Sequence, residues 1–287
     1  MKTTKFLWMA VVALALAACS DDEKEQPFVP DKGEIQLQFL HPGTTRATET
    51  AFESNDQIGV YVTAKDEALQ IAGNEVNNEL FTFNGTSWTS ARRVYWNNGQ
   101  HDVYAYYPYS QKVNDIEDYV FEVKADQSTM TNYTLSDFLW AAKKNVTAST
   151  SPVAMQFAHK MSNVVVRLAK GENYSGEISS ATEVYIHSTV TKAVIDLSTG
   201  DATKSDYAGT GSIKCLQKSS TEYTACVVPQ NITSRLPLVE VITGGVSYLM
   251  EGKISLKPGY RHTIIVTLDK NPEKLKIEIG GEIVNWN

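Results

Sequence analysis

From Glu34 to the C-terminus, one short segment after another carries apolar residues at every second position. Ile35, Leu37 and Phe39 alternate with Gln36 and Gln38, and Ile58, Val60 and Val62 alternate with Gly59 and Tyr61. The period continues through 103–107, 119–124, 163–168, 184–188, 193–197, 238–243, 246–250 and 262–268. Successive side chains of a strand point to opposite faces, so this pattern predicts strands with one buried face. Phe81 and Phe83, the turn pair Asn84-Gly85 and then Trp88 predict a hairpin. At the C-terminal end, 275–279 and 283–286 read as two strands joined by Gly280-Gly281. Helical signals are weak, and 137–142 is long enough for one turn at most. Many short strands separated by turn residues predict sandwiches or barrels. Hydrophobic residues at 42% and aromatics at 10% supply packed cores. The Ser/Thr/Pro stretch 147–152 divides the chain into two halves of sandwich size, 34–150 and 151–287. The expected fold is all-β, with two tandem β-sandwiches.

The N-terminus has a different character. Lys2 and Lys5 flank an apolar run over 6–16, which leads into Leu16-Ala17-Ala18-Cys19. A short basic flank, an apolar core and small residues before a cut site make a secretory signal. Cysteine at the cut position makes it a lipoprotein signal, with 1–18 removed and Cys19 acylated. The run falls short of the ~20 residues a membrane span needs. Residues 19–33 are charged, carry Pro27 and Pro30, and read as a solvated tether between lipid and fold. Loss of Lys2 and Lys5 takes the formal charge from -7 to about -9. An acidic surface excludes nucleic acid as the expected partner, since phosphate binding needs a basic footprint.

With Cys19 assigned to lipid, Cys215 and Cys226 remain. If they flank a hairpin with Ser220-Thr221 at its tip, they fall directly opposite one another, within disulfide range. Two buried, reduced thiols fit the same segments equally well. The five histidines, His41, His101, His159, His187 and His262, show no metal-ligand spacing. His159 reads as a hydrogen-bonded structural residue. No nucleophile elbow, phosphate-cradling glycine loop or EF-hand loop is present. The oxygens of 196–201 have cation-binding chemistry, but a turn closed by Gly200 is the commoner meaning. The aromatic run Trp88, Tyr95, Trp96, Tyr104, Tyr106, Tyr107 and Tyr109 offers faces for sugar stacking. Its strand-like alternation favours a place in the core. No catalytic residue, metal or cofactor is expected.

Six segments in order carry a resemblance. They are Thr45-Arg46-Ala47-Thr48 with Phe52-Glu53 and Asp56-Gln57-Ile58-Gly59-Val60-Tyr61; Ala105-Tyr106-Tyr107-Pro108-Tyr109; Phe157-Ala158-His159-Lys160-Met161-Ser162; Val227-Val228-Pro229-Gln230; Leu256-Lys257-Pro258-Gly259; and the terminal Trp286. Together, after a lipobox, they resemble the fimbrillin family, the subunits of type V pili in Bacteroidales. The acidic run Ser20-Asp21-Asp22-Glu23 resembles the surface-export signal of lipoproteins from the same group. The resemblance covers essentially the whole mature chain and implies that the two sandwiches are transthyretin-like.

It also implies an assembly mechanism. The subunit reaches the outer membrane as a lipid-anchored precursor, and an arginine-specific protease cuts between Arg46 and Ala47. The cut releases the first strand, 34–46, with Ile35, Leu37 and Phe39, and opens an apolar groove. A strand from another pilin subunit fills it, supplying backbone hydrogen bonds along the edge and side chains for its pockets. The candidate donor is 274–287, with Leu275, Ile277, Ile279, Ile283 and Trp286; the same residues also read as strands that complete the second sandwich. The alternative function is a polysaccharide-binding surface lipoprotein that keeps its anchor. A glycan hydrolase would need two carboxylates about 5–10 Å apart in a cleft, and no pair in the sequence stands out.

Overall fold

A computed structural model describes residues 33–42, 51–270 and 276–286. The signal segment, most of the tether, Cys19, Arg46, Ala47 and Leu275 lie outside the described residues. In chain order the first strands are β1 (Leu37–Leu40), β2 (Gln57–Ala64), β3 (Val76–Phe83), β4 (Trp88–Ser90), β5 (Gln100–Tyr107) and β6 (Tyr119–Glu122). A short helix, α1 (Met130–Thr134), precedes β7 (Leu139–Thr147), β8 (Val153–Gln156) and β9 (Ala158–His159). Then come β10 (Ser162–Lys170), β11 (Glu183–Val190), β12 (Lys192–Ile195), β13 (Ala202–Lys204), β14 (Thr210–Lys214) and β15 (Leu216–Gln217). The last are β16 (Glu222–Val227), β17 (Asn231–Thr243), β18 (Val246–Ser255), β19 (Tyr260–Leu268) and β20 (Lys276–Asn285).

The strands form a six-stranded sheet in the order β4-β3-β2-β5-β7-β9 and a five-stranded sheet in the order β15-β16-β10-β19-β20. A four-stranded sheet, β14-β11-β17-β18, a three-stranded one, β13-β12-β6, and the pair β1-β8 complete the set. The chain is therefore nearly all β, as expected. Residues 137–142 are not a turn of helix: that single turn lies earlier, at α1, capped by the Thr129 side chain, and Leu139 opens β7. Phe83 pairs with Trp88 across the predicted hairpin, and Thr243 pairs with Val246 across Gly244-Gly245. Strands β8 and β9 lie beyond the 147–152 stretch, yet they pair with β1 and β7. In the other direction, β6 of the first half pairs with β12 of the second, and β10 joins β16 and β19.

The expectation of one buried face per strand fails at the centre of the six-stranded sheet, because both faces are covered. Ile58, Val60 and Val62 of β2, with Val103, Ala105 and Tyr107 of β5, pack into one core beside β1 and β8. Tyr61, Tyr104 and Tyr106 point the other way, into a larger core shared with β10, β16 and β19. Period two survives as a sorting of side chains between two interiors. The aromatic run is accordingly mostly core, with Trp96, Tyr104, Tyr106 and Tyr107 buried and Tyr95 exposed.

Candidate assembly site

The segment 34–40 sits where the sequence places it, with its apolar residues inward. Ile35 and Phe39 are buried and Leu37 partly so. β1 runs parallel to β8, with Leu37 opposite Val153 and Phe39 opposite Met155. The Val153 and Phe157 amides donate to the Gln36 and Leu40 carbonyls at 2.9 and 3.0 Å, and the Ile35 amide donates to Val94 at 2.8 Å. Backbone pairing is thus brief, and side-chain packing does most of the holding. The Phe39 ring meets Phe81, Trp88 and Phe157 at centroid distances of 5.5, 5.0 and 6.0 Å. A two-stranded unit is marginal by itself, so β1 depends on that aromatic box. An open cleft lined by Phe52, Phe83 and Trp88 runs beside it.

The C-terminal residues form one continuous strand, not two. β20 pairs antiparallel with β19 from Thr267↔Lys276 to Tyr260↔Asn285, with a register shift between His262↔Ile283 and Ile264↔Ile279. Three residues, 280–282, therefore oppose Thr263, and Gly280-Gly281 serves a bulge instead of a connecting turn. Glycine inside a strand often marks such a bulge. β20 is an edge strand that fills its own sheet, one of the two expectations for this segment. Ile277 and Ile279 are half-buried. Ile279 lies over Gly252 of β18, where any Cβ would strike it. Trp286, just past the strand, is buried, and its amide donates to the Gly259 carbonyl at 2.8 Å.

The two edge segments meet at His159. Its ring stacks on Trp286 at 3.9 Å with an interplanar angle of 6°, and His41, at the end of β1, stands edge-on to it at 5.8 Å. Nδ1 of His159 lies 2.8 Å from Asp137 Oδ2; a carboxylate only accepts, so that nitrogen carries the hydrogen. Asp137 is buried and its other oxygen has no hydrogen-bond partner. Phe52 packs against His41, Tyr107 and Phe157. His41, Phe52, Tyr107, Asp137, His159 and Trp286 line a partly open cavity of about 40 Å³. Burial brings the His41 pKa down to about 4, with Asp137 opposing and His159 assisting. Burial also raises Asp56, whose carboxylate accepts from the Tyr107 hydroxyl at 3.1 Å. Sequence reasoning missed this junction. His159 and Trp286 were singled out in separate segments, and no local spacing links them to His41 or Asp137.

Cys215 and Cys226 are buried thiols with no disulfide between them. The hairpin register differs by one from expectation: Leu216 faces Thr224 and Gln217 faces Tyr223, so Cys215 lines up with Ala225. The tip is longer than two residues, because both Lys218 and Ser219 amides donate to the Glu222 carbonyl. A one-residue slip sends a side chain to the opposite face. Burial raises the Cys215 thiol strongly, away from reactivity. No group of three or more His, Cys, Asp or Glu could hold a metal ion among the described residues. Asp196 spends its Oδ1 on Ser198 and the Thr199 amide, inside the turn closed by Gly200 (φ 74°).

A fimbrillin-like family profile matches residues 45–286. The chain belongs to the fimbrillin family. A candidate fimbrium tip subunit of Bacteroides ovatus is 31% identical over 199 residues, which take up 58% of this chain and 36% of that protein. The chain thus spans about a third of that relative's length. A candidate fimbrium subunit of Bacteroides uniformis is 25% identical over the whole chain and 96% of its own length. Among solved structures, a cell-adhesion protein of Bacteroides ovatus superposes with a TM-score of 0.70 at 22% identity, covering 88% of this chain and 97% of its own. One from Bacteroides uniformis gives 0.69 at 20% identity, covering 90% and 100%. These two likenesses support the fold. Membership makes this fimbrillin a structural protein, not an enzyme.

Proposed function

We propose that the chain is a subunit of a cell-surface fimbria that polymerises by strand exchange. It is exported as a lipoprotein with 1–18 removed and Cys19 acylated, and 19–33 tethers it to the outer membrane. An arginine-specific protease cuts between Arg46 and Ala47 and releases 34–46. The observation that carries this reading is the seat of β1, a four-residue strand in a two-stranded pair, held by Ile35 and Phe39 in an apolar box. Burial of such side chains contributes about 1.5–3 kcal/mol each, so an emptied groove strongly favours a replacement strand. The donor is β20 of another subunit, which lies on a sheet edge with Ile277 and Ile279 only half-buried. Two sandwich domains, 34–150 and 151–287, complete the proposal, with β8 and β9 crossing back to the first and β6 crossing to the second. A polysaccharide-binding lipoprotein is the weaker reading, because the aromatics it would use are mostly buried.

The Arg46→Ala variant tests this. It is expected to stay a folded, lipid-anchored precursor that does not polymerise, while the wild-type protein recovered from fimbriae starts at Ala47. Normal assembly of the variant, or an acylated Cys19 on the assembled protein, would refute the cleavage step.

A further inference from the structure

Cleavage removes one strand, but exchange also needs the donor strand to leave its own sheet. The structure brings the two departures to one residue. His159 of β9 is buried with three neighbours from separate parts of the chain: the His41 ring edge-on at 5.8 Å, the Trp286 ring stacked at 3.9 Å and the Asp137 carboxylate at 2.8 Å. Asp137 fixes the ring plane, and that plane is nearly parallel to Trp286. His41 and Phe52 cover the opposite approach, around the 40 Å³ cavity that Trp286 also lines.

Beyond the His262↔Ile283 pair, β20 has little else. Its last ladder pairs are Arg261↔Val284 and Tyr260↔Asn285. The bulge at 280–282 separates them from the longer run that ends at Ile279. Asn285 is exposed, so beside those two pairs the Trp286 stack and the amide bond to Gly259 hold the end. Aromatic pairs in good geometry are worth about 0.5–1.5 kcal/mol beyond the area they bury, and that value depends on exclusion of water.

We propose that His159 is a positioning residue that couples the two strands: when β1 leaves and takes His41 with it, water reaches the cavity, the Trp286 stack weakens, and the end of β20 beyond the bulge comes free for exchange. The inference rests on the strand-exchange reading and extends it. One proteolytic event then both opens the acceptor groove and releases the donor, so an uncut precursor keeps both strands docked. The bulge sets how far the release runs, since Lys276 to Ile279 keep their own ladder to Ile264–Thr267 until a partner takes them.

Amide hydrogen exchange on the full, uncut chain tests the coupling. His41→Ala is expected to raise exchange of the 284–286 amides about tenfold and leave the central strand β10 unchanged. His41→Phe, which restores an edge-on ring, is expected to keep wild-type rates, and His159→Ala to exceed His41→Ala. Unchanged exchange at 284–286 in His41→Ala overturns the proposal, and so does an increase that β10 shares equally. The assembly reading fails separately, if an arginine-specific protease cuts the wild-type chain after Arg46 and the product stays monomeric.

Discussion

Strands β1 and β20 both lie at sheet edges, yet they are held in opposite ways. β1 has four residues, one parallel partner and a deeply buried Phe39, with Ile35 buried just ahead of it. β20 has ten residues, an antiparallel ladder to β19 and apolar side chains that are only half-buried. Side chains in a box hold the first, and a backbone ladder holds the second. A box emptied of its strand would accept an apolar strand of the right pattern, and a strand whose side chains are only partly buried would gain by moving to such a box. In the proposed strand exchange, this asymmetry would set the direction.

The comparison breaks first at Phe39. Replacing a buried Phe by Ala typically costs about 3–5 kcal/mol, and Phe39→Ala is expected to undock β1 without unfolding the sheets. Exchange of the Val153 and Phe157 amides, which donate into β1, reads this locally. If those amides stay protected, backbone pairing holds β1 and the box is not the main restraint.

Acid is the next largest lever on β1. Burial brings His41 from its ordinary 6.5 to about 4, so the undocked strand binds more protons than the docked one between those values. Docking is therefore at full strength above about pH 6.5 and weakens as pH falls towards 4, by about 2–3 kcal/mol. Asp137, His159, Glu53 and Asp56 line the same cavity. Asp56, raised by burial, takes up its proton when docked and offsets part of the loss at the acid end. Proteolysis of the β1 segment measured from pH 7 to pH 4 is expected to accelerate in wild type and to flatten in His41→Phe. A flat wild-type profile would remove His41 from the account.

Gly252→Val attacks the other strand. A Cβ there meets the Ile279 methyl and, at 2.9 Å, Leu238 Cδ2. Overpacking of this kind costs about 1–3 kcal/mol, and because β20 is the edge, the strain is expected to lift it. Faster exchange across 276–279 with β1 unaffected is the expected signature, and polymerisation of the cut protein is expected to quicken.

Much of this was legible locally. The alternation of Val60, Tyr61 and Val62 gave the strand and told its two faces apart. It did not reveal that both faces are covered, because burial of the second face depends on strands far away in the chain. The cysteine register slipped by one because a tip of two residues and a longer one are equally compatible with the polar run after Lys218. Gly280-Gly281 is equally compatible with a connection and a bulge, because glycine pairs serve both, and the pairing partner decides between them. The His41–His159–Trp286 junction had no local signal at all. Its members lie near the two ends and the middle of the chain, and only the fold makes them neighbours.

The smallest expected effect is also the sharpest test of the contrast between the two edges. Ile277 faces Val266 in the β19 ladder and is partly buried against the larger core, so truncation removes less apolar contact than at a fully buried isoleucine. Ile277→Ala should therefore cost the monomer about 1 kcal/mol, against the larger loss at Phe39. Under the proposed exchange the same side chain would sit in the neighbour's box, fully buried, and its truncation there should cost about 2–5 kcal/mol. The variant is expected to melt almost with wild type as a monomer while its polymers dissociate far more readily in denaturant. Equal losses in the two states would mean that Ile277 occupies equivalent surroundings before and after assembly, and β20 would then not be the strand that moves.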